Sequence, residues 1–301
     1  MGLSLGTVQL ILEEHKHRSL PKRVHTIGRQ VIQFGYEEAL SIFKKTGVTP
    51  LPVDIEYDIE TTEAKFNQTN GGSQWITDRT LFKMAGVEEL ACIDISDYEN
   101  ASIIADLTQP LPKEHYESAD FIIGGSTLDN VFNPAMYLIN MSRLLKPGGR
   151  LFEINVSVNM FFPYVIFTPF WFLDYFVVNN YSDCKVFMLE IDNAWYAYGM
   201  DWEGQTHINN KAMDNFPNRE DKQLWTVVIA EKSKHSTNEE QPVQFWYRTE
   251  DQWLQYRKNL GKMLNNNRKW PEFKTPNPPL LNKFPPLEAP GYKFLGQLGA
   301  S

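Results

Sequence analysis

Cysteine, clustered basic residues and paired histidines are all scarce in this 301-residue sequence. The two cysteines, Cys92 and Cys184, each lie in an apolar run, and their separation matches no metal-ligand or redox spacing. We therefore expect two reduced core thiols in a cytoplasmic protein. No histidine pair stands at helical spacing and no cysteines cluster, so the sequence predicts no metal site.

A broad basic surface is also missing. The chain carries 29 Lys and Arg against 37 Asp and Glu, a formal net charge of −8. Binding to a nucleic-acid backbone requires clustered Lys and Arg, so we expect no nucleic-acid partner. The N-terminus has no basic segment ahead of its apolar part, which argues against a secretory signal.

An uninterrupted apolar span is absent as well. Residues 160–178, MFFPYVIFTPFWFLDYFVV, approach the length of a membrane span, but Pro163, Pro169 and Asp174 interrupt them. We interpret the segment as buried or cleft-lining, with contact to a membrane surface as the weaker alternative. No membrane span is predicted.

The composition is that of a globular protein, with 42% apolar and 22% charged residues. Apolar strand-like runs alternate with helical patterns, and several runs end at Asp or Gly. The predicted strands are Val24–Ile27, EELACIDIS, ASIIADL, ADFIIGG, RLFEINV, CKVFMLEI and LWTVVIAEK. This alternation predicts an α/β fold with a doubly wound, mostly parallel sheet.

The pattern suggests three regions along the chain. Residues 1–21 form an N-terminal helical extension, residues 22–235 the main domain, and residues 236–301 a helix with an extended proline-rich tail. Within the domain, residues 48–76 are an inserted loop region and residues 157–182 an aromatic segment.

Four polar or glycine positions fall where predicted strands end. They are Gly28, Asp94, Asp106 and Gly124. In parallel sheets ligands bind outside the carboxyl ends of the strands, so we expect a binding site at this edge.

Taken in order, "TIGRQ", "DISDYENASIIADLTQPLP", "ADFIIGGSTLDNVFN" and "LLKPGGRLFEI" resemble the landmarks of class I S-adenosylmethionine-dependent methyltransferases. Bacterial methyltransferase-domain proteins with a Gly-Arg-Gln first loop are the most similar group. The resemblance covers roughly residues 22–250. It implies a Rossmann-like methyltransferase fold with a seven-stranded sheet, and S-adenosyl-L-methionine as cofactor.

The resemblance also implies roles for single residues. Asp94, with Ile95 beside it, corresponds to the acid that binds the ribose hydroxyls, although a surface acid would also cap the next turn. Asp106, followed by Leu107, corresponds to the adenine-contacting acid or else is a loop acid. Gly124-Gly125-Ser126 would let the backbone approach the methionine portion, although a tight turn also explains these glycines.

The chain departs from the family pattern after the first strand, where only Gly28 of the usual glycines remains. Arg29 has a planar fork suited to the cofactor's carboxylate, and Gln30 could bond its amine or carboxylate. The alternative is that Arg29 pairs with a nearby Asp or Glu and ties down a loop. The connection from Asp94 to Ile103 is too short for a crossover helix, so Ile95, Ser96 and Tyr98 would wall the adenine pocket.

A second departure concerns the catalytic base. Relatives tend to carry Leu-Glu-His-Val after the fourth strand, whereas this chain has LDNV at 128–131. Asp129 is the nearest carboxylate to the expected methyl position and is the predicted base, or else a helix cap. His25 lies inside the first strand and is expected to be structural.

The predicted function is therefore methyl transfer from S-adenosylmethionine, as O-methylation of a saccharide or another small hydroxylated metabolite. Aromatic residues of the 157–182 segment would form the substrate wall, or else belong to a core or subunit interface. A homo-oligomer could form through this segment or the tail. The alternatives are a methyltransferase-like scaffold without catalysis and, ranked last, a nicotinamide-dependent oxidoreductase.

Overall fold

The computed structural model describes residues 2–158, 163–191, 195–200, 223–265, 271, 273 and 292–299. The strands are β1 (Gly2–Leu3), β2 (Arg23–Ile27), β3 (Val31–Ile32), β4 (Glu89–Asp94), β5 (Ile103–Ile104), β6 (Ala119–Gly125), β7 (Leu145–Val158), β8 (Asp183–Ile191), β9 (Trp195–Met200), β10 (Gln223–Glu231) and β11 (Tyr292–Leu298). The helices are α1 (Leu5–His17), α2 (Tyr36–Thr46), α3 (Thr62–Thr69), α4 (Asp78–Met84), α5 (Pro134–Leu144), α6 (Pro169–Val178) and α7 (Glu250–Leu264).

Nine of the described strands form one sheet, in the order β11-β9-β8-β10-β7-β6-β2-β4-β5. The five strands from β7 to β5 pair in parallel, whereas β10 is antiparallel to both β7 and β8. The seven strands from β8 to β5 therefore form a mostly parallel sheet with one reversed strand. This confirms the predicted α/β class. β9 and β11 extend the sheet, and neither strand was predicted.

Helices cover both faces of this sheet. On one face α5, α6 and α7 pack over Ile122, Leu151 and Val228. On the other, α1, α2 and α4 pack over Phe121, Ile123 and the neighbouring strands. The parallel strands are buried on both sides, which explains why they read as continuous apolar runs.

Several of the described helices, α4 and α5 among them, begin at side-chain caps that the sequence carries. Thr77 caps α4 and Asn133 caps α5, each accepting a hydrogen bond from a first-turn N–H. α2 ends at Gly47, which takes a left-handed conformation with φ of 73°. These local signals place the polar ends of α4 and α5 beside the carboxyl edge of the sheet.

The sequence suggested that residues 1–21 and 236–301 lie outside the main domain, but α1 and β11, which belong to these regions, pack onto the main fold. The apolar side of α1, including Leu10 and Ile11, is buried in the core, and β11 pairs with β9 at the sheet edge. In the inserted region, α3 forms where an irregular loop was expected. Most of the proline-rich stretch lies outside the described residues.

The aromatic segment divides into two parts. Phe172, Tyr175 and Phe176 of α6 are buried in the core, so the core alternative holds for that helix. Tyr164 and Ile166, ahead of it, are exposed. Among the described residues no helix is long and apolar enough to cross a membrane.

The sheet has one topological switch point. The chain moves outward from β2 to β4 and β5, then returns to place β6 on the other side of β2. Ile27, Ile93 and Gly124 lie level with one another across these strands. A crevice at the carboxyl ends of β2 and β6 is where such sheets bind ligands.

Candidate functional site

Gly28 turns the chain sharply at the end of β2. Its φ is +68°, and its N–H donates to the Ile93 carbonyl at 2.7 Å. A Cβ at this position would lie 3.5 Å from Oδ2 of Asp94 and 3.9 Å from Oγ1 of Thr127. The ends of β2, β4 and β6 therefore meet at Gly28, as the sequence predicts.

Gly124 and Gly125 leave room for two buried side chains. A Cβ at Gly124 would collide with the Glu153 carboxyl group, and one at Gly125 with the Gln30 amide. These glycines are thus required by the protein's own packing, in addition to any role toward a ligand. The carboxyl end of β6 lies between two buried polar groups.

Arg29 is buried and forms ion pairs with two carboxylates. Its Nε and Nη2 donate to the two oxygens of Asp78 at 3.1 and 2.9 Å. Its Nη1 donates to Oε2 of Glu60 at 3.1 Å and to the Glu99 carbonyl at 3.3 Å. Burial alone would lower the pKa of Arg29, but Asp78 and Glu60 raise it above its ordinary value.

Of the two roles predicted for Arg29, the structure therefore shows the internal ion pair. Only 3% of its side chain is exposed. Direct contact with a cofactor carboxylate stays a prediction.

Gln30 holds an unpartnered acceptor beside the switch point. Its Nε2 donates to the carbonyls of Ile27 and Gly28 at 2.8 and 3.1 Å, which fixes the amide orientation. Its Oε1 is buried against Gly125 and has no hydrogen-bond partner among the residues that the structure describes. A buried acceptor in this state is costly unless a donor from outside the chain completes it.

The acids that follow β4 and β5 lie near the surface. Oδ1 of Asp94 accepts from the Ile95 N–H at 2.6 Å, and the Ile95 side chain is exposed. Asp106 accepts from the hydroxyl and N–H of Thr108, and these bonds lower its pKa. Leu107 is buried in the core rather than open to the crevice. The predicted roles of these residues toward a cofactor stay predictions.

The loop after β6 is held by Asp129. Ser126, in a left-handed conformation with φ of +68°, donates its hydroxyl to Oδ2 of Asp129 at 2.6 Å. The Val156 N–H donates to the same oxygen at 3.1 Å, and Asn130 Nδ2 donates to Oδ1 at 2.7 Å. Burial raises the pKa of Asp129 against the effect of these bonds.

Asp129 is wholly buried, and its backbone carbonyl also accepts from the Val165 N–H. This arrangement joins β7, the loop after β6 and the start of the aromatic segment. A general base must reach the proton that it removes, so a base role for Asp129 stays a prediction that would require one of its donors to move.

A second buried carboxyl group lies beneath Gly124. Tyr137 of α5 donates its hydroxyl to Oε1 of Glu153 at 2.9 Å, and Asn155 Nδ2 lies 3.3 Å from Oε2. Burial and, to a smaller extent, the charge of Asp129 raise the pKa of Glu153 to about 8, against the lowering effect of these hydrogen bonds. Glu153 is therefore mostly protonated at neutral pH.

Two exposed aromatic side chains lie beyond this loop. Phe132 and Tyr164 are 85% and 67% exposed, with ring centroids 4.9 Å apart. Their neighbours are fixed, because the Val165 N–H bonds to Asp129 and the Asn133 amide donates to the Thr108 carbonyl. Tyr164 belongs to the 157–182 segment that the sequence predicts as the substrate wall, whereas Phe132 lies outside that segment and adds a second exposed ring beside it.

No group of three or more His, Cys, Asp and Glu side chains among the described residues is placed to hold a metal ion. Cys92 and Cys184 are both buried and free. Burial raises the pKa of Cys92 to about 11, which makes it an unreactive thiol.

Several contributors to the site were not predicted from the sequence. They are Glu60, Asp78, Thr127, Tyr137 and Glu153. The sequence predicts Glu153 only as part of the strand RLFEINV. A charged residue inside an otherwise apolar strand pattern was the one available signal for Glu153.

Of the comparisons with known proteins, only the comparison with solved structures found similar chains. No family model matches the chain, and no curated protein matches it. Among solved structures, the CMeT domain of the citrinin polyketide synthase is 12% identical with a TM-score of 0.38. The match covers 76% of this chain and 52% of that one.

Phosphoethanolamine N-methyltransferase 2 of Haemonchus contortus, in complex with S-adenosylhomocysteine, is 9% identical with a TM-score of 0.38, covering 75% of this chain and 53% of that one. A SAM-dependent methyltransferase from Aquifex aeolicus is 14% identical with a TM-score of 0.36, covering 75% and 90%. The chain spans about half the length of the first two proteins. At such low identities and TM-scores, these likenesses do not decide what this chain does.

Proposed function

We propose that this chain is an S-adenosylmethionine-dependent methyltransferase that binds its cofactor across the carboxyl ends of β2 and β6. The main support is Oε1 of Gln30, a buried acceptor at the switch point for which the described part of the chain supplies no donor. The ammonium group of the cofactor's methionine portion is a donor that suits it.

The surrounding residues fit the rest of the cofactor. Asp94 lies beside Gly28 with Oδ2 directed toward the turn, where it could accept from ribose hydroxyls. Ile95 and Tyr98 offer exposed apolar surface for adenine, and Asp106 with Leu107 follows at the end of β5. In this proposal the cofactor lies against the backbone of Gly28, Gly124, Gly125 and Ser126.

When bound, S-adenosylmethionine supplies an activated methyl group. The chain's own residues then have to orient the acceptor and exclude water, because alignment contributes much of the rate in a displacement. The Phe132–Tyr164 pair gives a flat apolar surface for the acceptor, and the proposed acceptor is a saccharide or another small hydroxylated metabolite. Asp129 remains the proposed base for the acceptor hydroxyl.

The burial of Asp129 also supports a second candidate function, a cofactor-binding protein without catalysis. Both carboxylate oxygens of Asp129 are occupied by donors from the chain. The two candidates differ in turnover, and both require the cofactor to bind.

Cofactor binding is tested by calorimetric titration with S-adenosylhomocysteine. Asp94→Asn should weaken binding by about tenfold or more, because it removes a charged acceptor from the ribose hydroxyls. Asp97→Asn is the matched control, since Asp97 is an exposed acid of the same connection and should leave binding unchanged. No binding to the wild-type chain at millimolar ligand would refute the proposal.

A further inference from the structure

Arg29 is held by two carboxylates that differ in how firmly they are fixed. We propose that Glu60 is an internal substitute for a ligand carboxylate: it occupies the outer side of Arg29 in the unliganded protein and gives way when a ligand carboxylate binds. This inference rests on the proposed function, because it concerns the carboxylate of the same cofactor.

The inner partner, Asp78, is permanent. Its side chain has no exposed surface, and each of its oxygens accepts a second hydrogen bond from a backbone N–H, of Gln30 at 3.2 Å and of Arg79 at 2.9 Å. Two parallel bonds to the guanidinium fix the plane of Arg29. Asp78 thereby fixes the direction of the outer edge of the Arg29 guanidinium, where Nη1 lies.

The outer partner, Glu60, is replaceable. Its side chain is 38% exposed, and it contacts Arg29 through Oε2 and Nη1 only. The same oxygen lies 3.8 Å from Nη1 of Arg79, which is also partly exposed. Glu60 therefore has a second cation to pair with when it leaves Arg29.

The backbone at Glu60 is anchored, so its release requires only a side-chain rotation. The N–H groups of Glu60 and Thr61 both donate to Oδ1 of Asp58 at 3.0 Å. Asp58 and Thr61 are buried, and the Thr61 hydroxyl donates to Oδ2 of Asp58 at 2.7 Å. Rotamer changes of exposed side chains are fast and do not unfold the segment.

Charge favours an exchange between carboxylates. Arg29 is one cation in contact with two carboxylates. Asp78 alone balances its charge, so the buried ion pair does not require the carboxylate of Glu60. A ligand carboxylate that takes its place restores the contact to Nη1 without changing the charge around Arg29. A ligand that lacks a carboxylate gains nothing from displacing Glu60.

The position fits the proposed cofactor. Arg29 follows Gly28 directly, and Gly28 is the residue that meets Asp94 and Thr127 at the switch point. The carboxylate at the methionine end of S-adenosylmethionine is the expected competitor. Glu60 then sets the affinity for this carboxylate and discriminates against nucleosides that lack it.

The test compares S-adenosylmethionine with decarboxylated S-adenosylmethionine, which keeps the amine and the adenosine. Glu60→Gln should bind S-adenosylmethionine about fivefold more tightly than the wild type and bind the decarboxylated ligand unchanged. Glu60→Asp, which keeps the charge on a shorter side chain, should shift in the same direction. Glu56→Gln removes a carboxylate of the same inserted region that pairs with Lys83, and it should change neither affinity.

The outcomes separate the two proposals. If S-adenosylmethionine binds the wild type and both Glu60 variants equally, Glu60 is not a competitor and the proposed function stands. Tighter binding of both ligands alike would also refute the exchange, because it would show a general charge effect. If the wild-type chain does not bind S-adenosylmethionine at millimolar concentration, the proposed function itself fails.

Discussion

The loops that follow β2 and β6 face each other across the switch point and are built on the same plan. Each contains one residue with φ of +68°, Gly28 in the first loop and Ser126 in the second. Each is held by a buried carboxylate, Asp78 in the first and Asp129 in the second. The difference lies in what neutralises that carboxylate.

Asp78 is paired with a cation, whereas Asp129 has only neutral donors. The first loop therefore depends on the ion pair with Arg29, whose guanidinium stays charged over the whole physiological pH range. The second loop depends on hydrogen bonds from Ser126, Asn130 and Val156. One loop is fixed by an ion pair, and the other is fixed by hydrogen bonds from neutral donors to a single carboxylate.

Breaking the ion pair should have the largest effect. Asp78→Asn leaves Arg29 buried with only the partly exposed Glu60, which should lower the free energy of unfolding by about 3–5 kcal/mol. Asp129→Asn in the other loop should lose less, about 1–2 kcal/mol, because no buried cation is left behind. Urea denaturation of both variants measures the difference.

Two controls sharpen this comparison. Asp54→Asn changes an exposed acid of the inserted region and should not alter stability. Arg29→Met combined with Asp78→Asn should recover much of the loss, because both buried charges are then removed. Equal losses for Asp78→Asn and Asp129→Asn would contradict the distinction between the loops.

The carboxyl end of β6, directly ahead of the second loop, should also be the pH-sensitive region. The pKa of Glu153 beneath Gly124 rises from 4.5 to about 8 on folding, so the folded state binds a proton that the unfolded state has released. This stabilisation is complete below pH 4.5 and is lost as the pH rises toward 8. Between pH 6 and pH 8 it should fall by about 2 kcal/mol.

Glu153→Gln mimics the protonated side chain and should remove that decline. The difference in unfolding free energy between the variant and the wild type, measured from pH 6 to pH 8, isolates the contribution of Glu153. Burial lowers the pKa of His25 from 6.5 to about 4, so its contribution changes between these values, but both proteins carry His25 and this contribution cancels in the difference. A constant difference across this range would show that Glu153 is already ionised in the folded protein.

The smallest expected effect concerns the conformation of Ser126. Ser126→Ala and Ser126→Gly both lose the hydroxyl that bonds to Asp129, but only glycine relieves the cost of a positive φ. The glycine variant should therefore be about 1 kcal/mol more stable than the alanine variant in thermal unfolding. An alanine variant of equal stability would mean that the left-handed turn costs little here.

The alternation of apolar runs and helical patterns was sufficient to predict the class of the fold. Strands buried on both faces leave a strong signal, and Thr77 and Asn133 mark helix starts by side-chain chemistry that acts over three residues. Strand β11 was not predictable from local sequence. It is a short strand that follows a proline-rich stretch, and it pairs with β9, which lies far from it along the chain.

For the candidate site, the sequence indicated which residues lie together better than it indicated their contacts. Strand ends carrying Gly28, Asp94 and Gly124 were expected at one edge of the sheet, since parallel strands align there, and the structure places them at one edge. The partners of Arg29 lie 31 and 49 residues away in sequence, and such pairings depend on tertiary packing. The collision of a Cβ at Gly125 with Gln30 likewise has no local signature.

The most direct measurement is a crystal structure of the chain grown with saturating S-adenosylhomocysteine. We expect the ligand across the carboxyl ends of β2 and β6, with its ammonium group within hydrogen-bond distance of Oε1 of Gln30 and its ribose hydroxyls on Asp94. An empty crevice at saturating ligand, or a ligand bound away from Gly28 and Gly125, would contradict the proposed site.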